Sequence, residues 1–256
     1  PGYRGGDRVH LGLPSPQQSL LEAVVATGTP VVLVLLNGSA VAIPWAAENV
    51  GAIVEAWYPG QAGGTAIADV LFGDYNPGGR LPVTFYRSAE DLPPFDDYAM
   101  DGRTYRYFGG DPVFPFGHGL SYTTFSYEDM IMQGPVWEGD EFKVTVAVRN
   151  TGGVAGEEVV QLYVSDLQAS APVPRRSLIG VKRILLRPGE RNTVAFTLTP
   201  EDLSLVDANG RWMVEPGMFE LSIGGKQPGF SGVADAETTE VLRARFRVLD
   251  GTFRRD

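Results

Sequence analysis

The chain has 256 residues, 43% of them hydrophobic, with a net charge of −10, no cysteine and two histidines. Its length fits one large or two ordinary domains, and its apolar content excludes a disordered chain. The acidic balance excludes a nucleic-acid binder, which needs a basic face, and the missing thiols exclude disulfides, thiolate metal sites and a cysteine nucleophile.

His10 and His118 are too few and too scattered for a histidine-based metal site. The longest apolar run, PVVLVLL at Pro30–Leu36, has the length of a buried strand and falls short of the ~20 residues that span a bilayer. No membrane or nucleic-acid partner is expected. The start, PGYRGGDRVHLGLP, has no apolar core of the secretory kind. The sequence does not fix a compartment; a periplasmic or secreted one is favoured, and association of copies stays open.

In chain order, residues 1–86 alternate helix and strand signals. Pro16–Ala26 places Leu20, Leu21, Val24 and Val25 on one helical face, with Ser15 as cap and Thr27-Gly28 as stop. Val31–Leu36 is continuous and β-branched, which predicts a strand buried on both faces. Asn37-Gly38-Ser39 turns the chain. Ala40–Asn49 reads as a partly helical connection interrupted by Pro44, and Ala52–Ala56 as the next buried strand. Gly64–Phe72 reads as a helix closed at Gly73, and the stretch ends in a strand that has Pro82 near its start. Strand–helix–strand–helix order predicts an α/β fold with a parallel sheet, and two clear strands before Leu81 are few for a complete one.

Residues 87–122 are aromatic and proline-rich, an extended connection wrapped over a surface. From Thr123 onward the pattern is all-β. Phe142, Val144, Val146 and Val148 alternate with Lys143, Thr145, Ala147 and Arg149, and period two recurs at Val160–Val164, Val194–Leu198, Phe219–Ile223 and Ala244–Val248. With Gly/Pro/Asn turns between them, about seven strands predict a β-sandwich of fibronectin type III kind over residues 123–256.

Six pieces in a fixed order carry a family resemblance. They are GGDR at Gly5–Arg8, PVVLVLLNGS at Pro30–Ser39, WYPGQAGG at Trp57–Gly64, ADVLFGDYNPGGRLPVTF at Ala68–Phe85, TYRYF at Thr104–Phe108 and FPFGHGLSYTTF at Phe114–Phe125. They resemble the second domain of the glycoside hydrolase family 3 β-glycosidases. VRNTGGVAGEEVVQLYVSD at Val148–Asp166 is similar to that family's fibronectin-like domain.

The resemblance implies a retaining, exo-acting β-glycosidase for terminal β-linked glucose or xylose, working with two carboxyl groups and needing no cofactor. It implies that the nucleophilic Asp lies in a barrel-like first domain. It places the acid/base Glu in a loop before the GGDR-like element. No Glu precedes Glu22 here, so both catalytic carboxylates are expected on an N-terminal polypeptide, and no catalytic residue is expected in this chain.

Of the carboxylates present, Glu22 and Glu48 fall on helices as solvated groups, whereas Glu55 sits in an apolar strand before Ala56-Trp57 and needs a partner. Asp7-Arg8 reads either as loop support beside the active site or as a surface turn. Glu55, Trp57, Arg80 and His118 are the pocket-adjacent candidates. Arg80 either pairs with an acid on the absent domain or is exposed. His118 either holds the connection or approaches the pocket. The aromatics of residues 98–122 either cement the connection to both domains or stack on sugar. Gly60–Gly64 resembles a weak anion nest but reads better as a close strand–helix turn, lacking the GK[ST] of a P-loop.

A non-catalytic carbohydrate-binding or interaction module is the competing reading. A serine hydrolase is excluded by the lack of GxSxG.

Overall fold

The computed structural model describes residues 10–230 and 239–251. Asp7 and Arg8 lie outside the described residues.

The first part is built from α1 (Ser15–Val25), β1 (Val32–Leu35), α2 (Pro44–Asn49), β2 (Ala52–Glu55) and α3 (Gly63–Phe72). β1 and β2 pair in parallel, from Val32 opposite Ala52 to Leu35 opposite Glu55, as the strand–helix–strand order predicts. Their covered face packs Leu21 of α1, Leu35, Val41, Ile43 and Ala46 into one core.

Four local expectations need correction. Ser15 does not cap α1: Pro14 occupies that position, and no side chain bonds the first turn. Pro44 does not interrupt a helix but opens α2, where its missing N–H costs nothing. β1 is not buried on both faces, because among the described residues its sheet has only two strands and Val32 is 47% exposed. Residues 81–86 form no strand; a single bridge joins Phe85 to Phe114. The Leu81 N–H donates to the His118 carbonyl and the Phe85 N–H to the Phe114 carbonyl, and Pro82 can add no donor between them.

The aromatic connection holds a 3-10 turn at Ala89–Asp91, capped by Ser88, and one four-residue helix, α4 (Thr104–Tyr107), and otherwise runs irregularly over both parts. Tyr105 stacks on Phe116 at 4.1 Å and meets Tyr163 edge-on at 6.2 Å. Its hydroxyl accepts from the Leu178 N–H at 3.0 Å. Phe114 joins the core of the first part. Tyr105, Phe108, Phe114 and Phe116 thus cement the connection, whereas Phe95, Tyr98 and much of Tyr122 are exposed.

The second part is a two-sheet sandwich with ten strands among the described residues. They are β3 (Phe125–Met132), β4 (Val136–Trp137), β5 (Phe142–Asn150), β6 (Gly156–Asp166), β7 (Ser177–Leu186), β8 (Arg191–Leu198), β9 (Leu205–Val206), β10 (Trp212–Met213), β11 (Gly217–Gly224) and β12 (Val241–Leu249). One sheet runs β4-β12-β11-β6-β7, the other β3-β5-β8, and β9 with β10 forms a small hairpin. Val144, Val146 and Val148 of β5 share one core with Leu162, Leu221 and Ile223, whereas Val160–Val164 of β6 is buried on both faces because Gly117 and Tyr105 of the connection cover Gln161 and Tyr163. Burying each such side chain contributes ~1.5–3 kcal/mol. Arg243 and Arg245 of β12 pair with Glu220 of β11 at 3.7 and 3.1 Å, so that row of cations is neutralised in part by its neighbouring strand.

Candidate functional site

The carboxyl ends of parallel strands are where α/β sheets place ligands. Here β2 ends at Glu55, and the chain then turns through Trp57 with φ of 51°. A positive φ at an aromatic residue costs on the order of 1–3 kcal/mol and gathers at functional sites. Glu55 holds that turn: its Oε1 accepts from the Trp57 N–H at 3.0 Å.

Burial pushes the Glu55 carboxyl up from its ordinary value, opposed by the Trp57 N–H and by the Asn37 amide beside it. Asn37, just past β1, donates its Nδ2 to the Ser39 carbonyl at 2.7 Å, which turns its Oδ1 away from that carbonyl. Glu55 Oε2 and Asn37 Oδ1 are both buried, and neither has a hydrogen-bond donor. Glu55 is therefore a carboxyl whose charged form burial disfavours, at the end of the sheet.

From Trp57 an unbroken row of rings leads into the connection. Trp57 meets Phe85 edge-on at 6.2 Å, Phe85 meets Phe114 at 6.1 Å, and Phe114 lies 5.2 Å from the His118 ring. Glu55, Trp57 and His118 are thus parts of one packed unit, and His118 is buried within it. Gly38 lies under the Tyr58 ring, at 2.6 Å from where a Cβ would point, so the β1 and β2 turns are locked together. Gly63 is buried against Pro59, in keeping with a close strand–helix turn.

Arg80 is neither exposed nor paired with an acid outside this chain. It crosses into the sandwich and pairs with Glu158 of β6 at 2.6 Å, with side chains 6% and 0% exposed. Its Nε donates to the Gly225 carbonyl at 3.0 Å. Tyr127 and Thr239 donate their hydroxyls to Glu158 Oε1 at 2.6 and 2.9 Å. Burial nonetheless raises the Glu158 carboxyl from its ordinary value, against the pull of Arg80 and the two hydroxyls. Beside this pair, Gln161 donates to the Gly117 and Gly225 carbonyls, and Asn76 to the Ala155 carbonyl. The result is a desolvated polar joint between the two parts.

Sequence reasoning missed Glu158. The signal was present: Glu158 keeps the inward register of Val160, Leu162 and Val164, a carboxylate on a core face. Among the described residues, no group of three or more His, Asp or Glu is placed to hold a metal ion. No helix among them is long and apolar enough to cross a membrane.

An α/β unit clamped through an aromatic strap to a fibronectin type III-like sandwich defines the architecture. Residues 3–122 match the glycosyl hydrolase family 3 C-terminal domain, and residues 158–227 match the fibronectin type III-like domain. The chain belongs to glycoside hydrolase family 3. It is 46% identical to a xylan 1,4-β-xylosidase of Xylanibacter ruminicola, over 87% of this chain and 26% of that protein. It is 40% identical to a periplasmic β-glucosidase of Salmonella typhimurium, over 87% of this chain and 31% of that protein. A β-glucosidase structure from Erythrobacter marinus superposes with a TM-score of 0.81 at 39% identity, covering 96% of this chain and 32% of that one. The chain thus spans about a quarter to a third of the relatives it matches.

Proposed function

We propose that this chain is the C-terminal portion of a retaining, exo-acting β-glycosidase that removes terminal β-linked glucose or xylose. Its α/β part occupies residues 1–86, its strap 87–122 and its sandwich 123–256. Both catalytic carboxylates belong to a barrel-containing N-terminal polypeptide, and this chain alone is inactive. Asp7 and Arg8 are assigned to support of an active-site loop.

The observation that carries this reading is the two-stranded parallel sheet. Parallel sheets are stable when both faces are covered, yet Val32 is 47% exposed and Leu36 60%. Two carboxyl groups about 5–5.5 Å apart are needed for retention, and at the described ends of β1 and β2 there is one, Glu55. With its half-buried carboxyl and packed aromatic row, that end of the sheet suits a wall that positions a sugar-binding loop.

The test is hydrolysis of aryl β-glucoside and β-xyloside by the chain alone and together with the barrel-containing polypeptide. Activity in the mixture only is the expected result, and the preferred glycoside names the sugar. Turnover by the chain alone overturns the reading. Glycan binding without hydrolysis in either preparation supports a binding module instead.

A further inference from the structure

A cavity of about 380 Å³ opens between the aromatic strap and the sandwich, a size within the ~300–1,000 Å³ range of small-molecule sites. Thr84, Tyr105 and Phe108 line it from one side, and Arg175, Arg176 and Gln227 from the other.

Its charge is not balanced. Arg176 is half-buried, and its guanidinium is pressed by burial and by the neighbouring Arg175 and Arg243, which lowers its pKa. Arg176 and Arg175 make no ion pair among the described residues. The lining carboxylate, Asp111, is taken by Arg87 at 3.0 Å, and Arg243 already faces Glu220. Two adjacent guanidinium groups in a partly dry wall repel one another until an anion joins them, and a carboxylate meets their planar forks in bidentate fashion.

The polar groups in the same wall are also unfinished. Thr84 is 7% exposed and Gln227 8%, yet Thr84 Oγ1 and Gln227 Oε1 have no hydrogen-bond partner. Buried polar atoms without partners are uncommon enough to point to a missing one. A hydroxyl that accepts and an amide oxygen that accepts suit a ligand rich in hydroxyls. Tyr105 and Phe108 add apolar surface of the kind that covers the C–H face of a sugar ring.

We infer that this cavity binds a sugar acid, its carboxylate held by Arg175 and Arg176 and its hydroxyls by Thr84 and Gln227. The chemistry shared with other anions is the guanidinium pair; what singles out a sugar acid is the hydroxyl-bonding wall beside it. This goes beyond the glycosidase reading and stands independently of it.

The experiment is calorimetric titration of the protein with glucuronate, glucose and inorganic phosphate, repeated on Arg176→Gln and Arg175→Gln. Glucuronate is expected to bind about tenfold or more tightly than glucose or phosphate, and to lose about tenfold in each variant. Glucose binding equal to glucuronate overturns the anionic reading. Phosphate equal to glucuronate overturns the sugar reading. If both variants unfold, crystals of the unaltered protein soaked in glucuronate decide: density between Arg176 and Gln227 supports the site, and an empty cavity rejects it.

Discussion

Replacing Arg80 with Met tests the polar joint most directly. The substitution keeps much of the side-chain volume and removes the charge. Glu158, 0% exposed, is left with the Tyr127 and Thr239 hydroxyls but without the cation 2.6 Å away. Breaking a buried pair from one side costs about 3–5 kcal/mol, because the surviving charge stays in the dry interior. That is roughly two to nearly four orders of magnitude in the folding equilibrium. The sign of the pH dependence follows. Arg80 is the strongest influence holding the Glu158 carboxyl down, so its loss raises that carboxyl further. A group with a raised folded value stabilises the fold when protonated, and loses that contribution as pH rises through the folded value. The loss in Arg80→Met is therefore largest at alkaline pH and shrinks toward acid.

In the double variant Arg80→Met/Glu158→Gln the charge is gone, and Gln still accepts from Tyr127 and Thr239. More than half of the lost stability should return. Urea unfolding of the unaltered protein, Arg80→Met and the double variant at pH 8 and pH 5 reads all three effects. A single-variant loss under about 1 kcal/mol, or no recovery in the double variant, refutes the claim that this pair is desolvated and holds the two parts together.

Glu55→Gln keeps an oxygen for the Trp57 N–H and removes the charge that burial disfavours, and should be near neutral at pH 8, while Glu55→Ala strips the Trp57 N–H of its partner and should cost about 1–2 kcal/mol; thermal melts compare them. The raised carboxyl makes Glu55 favour the fold below its ordinary value and lose that contribution as pH rises through the higher folded one, so Glu55→Gln should flatten the fall in stability with pH, and an unchanged slope would count against a raised Glu55 carboxyl. Gly225→Ala drives a methyl group into Glu158 Oε1 and the Thr239 side chain, and should destabilise by about 2 kcal/mol or more in the same urea assay. Tyr105→Leu loses the stack on Phe116 and the hydroxyl that accepts from Leu178, for about 1–3 kcal/mol, and limited proteolysis of the 87–122 strap should accelerate.

Local rules wrote much of this molecule. Period two in β5, β6, β8, β11 and β12 made the sandwich legible, since side-chain alternation follows from the pleat whatever lies opposite. The order of α1, β1, α2, β2 and α3 made the parallel pair legible, because a short sheet with helical crossovers has few other topologies. Glycine and proline marked turns such as Gly28 and Gly73, whose positive φ only glycine takes freely.

What sequence could not decide was partnership over distance. Arg80 and Glu158 are 78 positions apart, and nothing local tells an arginine after two glycines that its carboxylate lies in another domain. The breakdown of residues 81–86 as a strand was set by hydrogen bonds from a segment some thirty positions later, which claimed the Leu81 and Phe85 N–H groups singly instead of in a ladder. Trp57 and His118 became neighbours in one aromatic row only through Phe85 and Phe114. Patterning fixes which face of each element is apolar. Only packing decides which charges are left to neutralise one another once water is gone, because that cost depends on the whole surrounding shell and not on any one segment.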